Sequence, residues 1–284
     1  MSLGQFVIFQ ISICIVVGLA AHQASGPVSR ERLERFARRQ RLDVTAANGD
    51  QIIRYLATTR RWRAAGFAAG YALSGTASLV VDQVGNLGFV VLFTGWFTGA
   101  LIAEIRVAHL AHGTRRVASL QPRRPAFYLS RTAWALVPTA AGLAVVVAAA
   151  TVLASASRRA DPDWWAAVWL FVALATAGTI RAIQRFVLRR PQPLAAPDVL
   201  AADDAIRSRS LHVLAGGGAA LVLLCVMAQL DATHPLGTRA IQTWRGIGLV
   251  LIAILGWKVA TTPWPTRRAD PAAAIPATGS PGPR

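Results

Sequence analysis

The sequence predicts an all-α, polytopic membrane protein: a bundle of about seven transmembrane helices, N-terminus outside and C-terminus cytoplasmic. Three observations predict it. Of 284 residues, 54% are hydrophobic and only 15% charged, where a soluble domain carries roughly 25% charged residues. Uncharged stretches long enough to cross roughly 30 Å of hydrocarbon recur along the chain. The basic residues gather on alternate connections between those stretches.

The first span is expected within residues 1–22, its apolar part running from Phe6 to about Ala21. The preceding MSLGQ has no basic residue, and no small-x-small cleavage pattern follows. It therefore reads as an uncleaved anchor.

Residues 23–63 read as a basic cytoplasmic helical loop. Ser29 is placed to cap a helix with Leu33, Phe36 and Ala37 on one face and arginines on the other. Asn48-Gly49-Asp50-Gln51 has the form of a capping box. Ile52, Ile53 and Leu56 carry an apolar stripe towards the second span. Such an element lies on the inner leaflet or docks a cytoplasmic partner.

Residues 64–260 are expected to hold six spans in three hairpins. The candidate stretches are 64–81, 83–103, 132–157, 164–180, 210–230 and 241–260. In the last, Arg245 and Lys258 lie near the two ends and must snorkel towards headgroups. Residues 261–284 contain six prolines and are expected to be a disordered cytoplasmic tail.

Orientation follows from the cations. Of 30 Lys and Arg, 26 fall on the connections 22–63, 106–131, 181–209 and the segment from 258 onward. Only four fall on the opposite side. Tryptophans sit at the same boundaries: Trp62, Trp134, Trp257 and Trp264 inside, and Trp164, Trp165 and Trp244 outside. Indoles favour the headgroup layer.

The net charge of +17 raises nucleic acid as a partner. The cations flank apolar spans instead of forming a separate basic face, so no nucleic acid is expected. They suit the anionic lipids of a bilayer's inner leaflet. All but one of the 30 are Arg, which with the abundant Ala matches GC-rich bacterial coding and a plasma-membrane setting. Cys14 and Cys225 lie in apolar runs and imply no disulfide.

Candidate functional positions are few. Gly66, Gly70, Ser74 and Ser78 repeat every four residues, and Gly95 and Gly99 do so in the next stretch. They predict close packing between spans two and three, or else homo-oligomer formation. Glu104 is the acid lying furthest into any span, with Arg106 and Arg181 expected at its depth; a membrane carboxylate is a functional suspect. His109 and His112 share a helical face with each other, but three ligands at this spacing are too weak a pattern to assign a metal. Asp82 lies in a predicted outer turn. Pro138 and Gly216-Gly217-Gly218 mark expected helix breaks.

No catalytic residues, metal site or cofactor are assigned. There is no Walker glycine loop, and Ser74 lacks a histidine base at matching depth. The sequence thus leans away from an enzyme. The expected role is a membrane-embedded scaffold or permease-like subunit, with a protein partner at the cytoplasmic loops. A small secondary transporter and a lipid-modifying enzyme are the alternatives.

Overall fold

The computed structural model describes residues 3–80, 85–110, 116–117, 124–158, 164–190, 192–193, 196–233 and 239–262. They form eight α-helices: α1 (Leu3–Ser25), α2 (Arg30–Gln40), α3 (Gly49–Val80), α4 (Gly85–Leu110), α5 (Arg131–Arg158), α6 (Trp164–Arg189), α7 (Pro197–Thr233) and α8 (Arg239–Thr261). A 3-10 turn at Pro125–Phe127 leads towards α5. Arg116–Val117 pairs antiparallel with Gln192–Pro193. The predicted tail from 263 onward and the turn holding Asp82 lie outside the described residues.

Local chemistry explains α2. Ser29, in extended conformation, accepts a hydrogen bond from the Arg32 backbone N–H and caps α2. Arg41 ends it in the left-handed region at φ 49°, its N–H reaching the carbonyls of Ala37 and Arg38. The capping box predicted at Asn48 does not form. The Asn48 side chain turns backwards, accepting from Thr45 N at 2.9 Å and donating to Asp43 O at 2.9 Å. The buried Gln51 Oε1 is left without a hydrogen bond. Bonds from the Asn48 side chain to the preceding loop take the place of the capping box.

Among the described residues, three helical segments are long and apolar enough to cross a membrane: Arg131–Ser157, Trp164–Arg189 and Pro197–Leu230. Their outer faces carry large apolar side chains in the open, with Val146 62%, Leu153 71% and Phe171 72% exposed. Water would penalise such a belt, whereas lipid accepts it. α1 and α2 are bent 73° from each other. α2 has the sequence RERLERFARRQ, so only α1 of this pair has spanning character.

α3 and α7 are longer than a bilayer needs. At 1.5 Å per residue they measure about 48 and 55 Å, against roughly 30 Å of hydrocarbon. Much of the sequence expected to be loop is therefore helix: α3 begins at Gly49, α6 continues to Arg189, and α7 begins at Pro197. The N-terminal parts of α3 and α7 meet beneath α2 in a second small core of Phe36, Ile52, Tyr55, Ala202, Ala205 and Ile206.

α7 is the central helix. Of its most apolar window 78% is buried, against 17% for α5 and 22% for α6. α4, α5, α6 and α8 all pack on it, while α3 pairs with α4 and α1 with α3. The expected helix breaks are absent. α5 is continuous through Pro138 and α7 through Gly216–Gly218. The glycines instead create room for neighbours. A Cβ at Gly216 would lie 2.4 Å from Gly256 O on α8, at Gly217 2.2 Å from the Phe97 ring on α4, and at Gly218 2.6 Å from Ile180 on α6. Pro138 lies on an exposed part of α5, where a missing N–H perturbs no neighbouring helix.

The α3–α4 contact uses the same device. A Cβ at Gly66 would lie 2.3 Å from Gly95 O, and one at Gly99 2.1 Å from Trp62 O. A Cβ at Gly95 would lie 2.6 Å from Gly66 O and one at Gly70 3.0 Å from Leu92 O, so the four glycines pack against one another within one chain. Gly99→Leu is expected to lower stability by about 1–3 kcal/mol, seen as an earlier thermal transition in detergent. Gly142→Leu on α5, where nothing lies within 4 Å, should leave that transition in place.

Candidate functional site

The polar chemistry of the described residues collects at one end of the bundle. Its anchor is a buried ion network between α6 and α7. The last carbonyls of a helix have no intrahelical partner, and at α6 a side chain from α7 supplies one. Arg207 Nη1 lies 3.0 Å from Val187 O, 2.9 Å from Leu188 O and 3.1 Å from Arg190 O. Its Nη2 donates to Asp203 Oδ2 at 2.9 Å, and Arg190 donates to Asp203 Oδ1. Asp203 and Arg207 are fully buried. The cation also meets the negative end of the helix dipole. Close by, Ser208 donates to Tyr128 O at 2.9 Å, and Tyr128 donates to Asp204 at 3.1 Å.

Glu104 is also buried, at 2% exposure. It accepts from the Ser210 hydroxyl on α7 and from the Tyr55 hydroxyl on α3 at 3.4 Å. Its cation is Arg63 on α3, with Nη2 4.0 Å away. Burial, reinforced by the Glu104 charge, pushes the Tyr55 hydroxyl well above the usual phenol range, so it stays a neutral donor. Arg106 and Arg181, expected as partners, are elsewhere. Positions 104 and 106 point about 200° apart on a helix. Arg106 instead sits 5.4 Å over Trp62, and Arg181 sits 4.0 Å over Trp134 while donating to Gln184. Arg63 itself sits 5.6 Å over Trp96. These cation–π pairs hold guanidiniums at the apolar–polar boundary.

Beside Glu104 opens a cavity of about 700 Å³ between α1, α2, α3, α7 and α8. This is within the range of small-molecule sites. Arginines from α2, α3 and α7 line it, together with apolar side chains from α1, α3, α4 and α8. Its α1 wall is tied down by α3. Arg60 donates to the carbonyls of Gly26 and Pro27, and Arg61 to Ala24 O at 3.4 Å. The arrangement can hold an anion next to apolar matter.

Of the residues singled out in the sequence, Glu104 alone lies at this centre. His109 falls near the end of α4, while His112 and Asp82 lie outside the described residues. Gly66, Gly70, Gly95, Gly99 and Gly216–Gly218 serve helix contacts, and Pro138 lies in α5 away from the cavity. Sequence reasoning missed Tyr55, Arg63, Ser210, Asp203 and Arg207. The available signal was Asp203 and Arg207 at i,i+4 within an alanine-rich stretch. No family model, curated protein or solved structure matches the chain. The class defined by the fold is a helical protein with, among the described residues, three helices long and apolar enough to cross a membrane.

Asp203→Asn removes the carboxylate bound to both Arg190 and Arg207. It should cost about 3–5 kcal/mol, because two buried guanidiniums lose their counter-charge. The loss is read as a smaller folded fraction on size exclusion in mild detergent. Glu34→Gln, in the exposed pair with Arg30, should change stability by less than about 1 kcal/mol.

Proposed function

We propose that the chain is a seven-span plasma-membrane protein, N-terminus outside and C-terminus cytoplasmic, acting as a membrane-embedded scaffold or permease-like subunit. In this reading α1, the C-terminal parts of α3 and α7, and the whole of α4, α5, α6 and α8 cross the bilayer. The 26 basic residues of the inner connections hold that end in the cytoplasm. The Arg–Trp pairs at Trp62, Trp96 and Trp134 fit the inner headgroup layer.

The observation that carries the reading is the packed platform at the arginine-bearing end. α2 and the projecting parts of α3 and α7 have their own apolar core and lie against the ion network of α6 and α7. A segment that only lay on lipid would need neither. A rigid, basic, helical platform suits a protein partner on the cytoplasmic side. Among the described residues, ionised side chains of the spans cluster at this end. Proton-coupled transporters carry ionisable groups at mid-depth. The transporter alternative rests on Glu104, held between α3, α4 and α7.

A compartment-specific reporter placed between residues 41 and 48 should read cytoplasmic, and one in the connection at 161 should read the opposite side. A periplasmic signal from the first would overturn the orientation. Affinity purification in mild detergent should recover a partner in fixed stoichiometry, and that recovery should fall when the exposed α2 residues Arg38 and Glu34 are both changed to Ala. A partnerless chain, with all activity lost on Glu104→Gln, would favour the transporter.

A further inference from the structure

The cavity beside Glu104 has a distinct polarity. Six guanidiniums line it: Arg32, Arg35 and Arg39 from α2, Arg60 and Arg63 from α3, and Arg209 from α7. No carboxylate is among the lining residues. Arg35 is engaged by Glu31, and Arg60 spends two nitrogens on the Gly26 and Pro27 carbonyls. With Glu31 on Arg35 and Glu104 near Arg63, six guanidiniums still face only these two carboxylates among the described ion pairs. Arg63 is the informative member. Its Nε and Nη2 are buried without a hydrogen-bond acceptor, as is Arg60 Nε. The nearest carboxylate oxygen to Arg63 is 4.0 Å away. A buried guanidinium that lacks acceptors is costly, and an incoming anion would supply them.

The rest of the lining is largely apolar. Val16 and Leu19 of α1, Phe67 of α3, Trp96 of α4 and Trp257 of α8 belong to it. Leu19 and Trp257 are largely exposed, Trp257 at 63%. The cavity therefore offers both cations and hydrocarbon contact.

We propose that this cavity binds one anionic phospholipid, its phosphate among Arg63, Arg209 and the α2 arginines and its acyl chains along the α1–α8 wall. Arg presents a planar fork of donors that matches phosphate oxygens. A free phosphate would leave the apolar lining without a partner. An occupant from the same chain is disfavoured by charge. The inner segments outside the described residues, 111–115, 118–123 and 263–284, contain five arginines and the single acid Asp270. The site goes beyond the scaffold role and does not depend on it.

The test is native mass spectrometry of the full chain purified in mild detergent, with phosphatidylglycerol, phosphatidylcholine of the same acyl chains, and inorganic phosphate as probes. Phosphatidylglycerol should be retained as a single adduct in preference to phosphatidylcholine, and millimolar phosphate should not displace it. Arg63→Gln should weaken retention roughly five-fold. Arg32→Ala/Arg39→Ala changes exposed side chains only, so its fold is secure. That variant should lose roughly five-fold for each arginine removed. Equal retention of the two lipids, displacement by phosphate, or unchanged retention in the double variant would each overturn the proposal. Loss of a protein partner with lipid retention intact would overturn the scaffold reading alone.

Discussion

A helix that ends inside a protein leaves carbonyl oxygens without donors, and at the close of α6 one guanidinium from the next helix meets that need. Arg207 gathers the carbonyls of Val187, Leu188 and Arg190, and Asp203 balances its charge. α6 is thereby joined to the N-terminal half of α7. That half supports the small core under α2 and presents Ser210 to Glu104 and Arg209 to the cavity. The architecture of the basic end depends on this one buried cap. Ionic contacts of this kind contribute little net stability when whole, yet are costly when halved, so the network acts chiefly to fix geometry.

A different force holds the apolar half together. Inside lipid there is no hydrophobic gain from bringing two helices together, so close backbone approach has to supply the attraction. Gly66, Gly70, Gly95 and Gly99 provide it for α3 and α4, and Gly216 with Gly256 for α7 and α8. The bundle is thus fastened by backbone contact among its helices and by charge at its basic end. The cavity lies where the two regimes meet.

The sequence made the helical class legible because long uncharged stretches leave few alternatives. Ser29 was equally clear, since a hydroxyl ahead of an amphipathic run has one obvious use. The projecting ends of α3 and α7 were hidden because their arginines resemble those of a solvated loop, and helix propensity alone does not separate the two. Glu104 stood out as an acid within a span, but its partner did not. Pairing there depends on which helix lies opposite, and Arg63 is 41 positions away in the chain, on α3. The glycine triplet was read as weakness in a helix when it is a fitting surface. Periodicity cannot distinguish these until the neighbours are known. Asp203 and Arg207 went unnoticed because an i,i+4 ion pair is usually a surface feature, and nothing local marks this one as buried.

Gly216, Gly217 and Gly218 are successive residues, so their faces turn by about 100° at each step and meet α8, α4 and α6 in turn. At that level the central helix has no spare space towards any of those three neighbours. Where a single methyl group finds no room, neither a water molecule nor a dehydrated ion finds any. A route between α7 and any of these three helices is closed at that level, and solute traffic there would require them to separate.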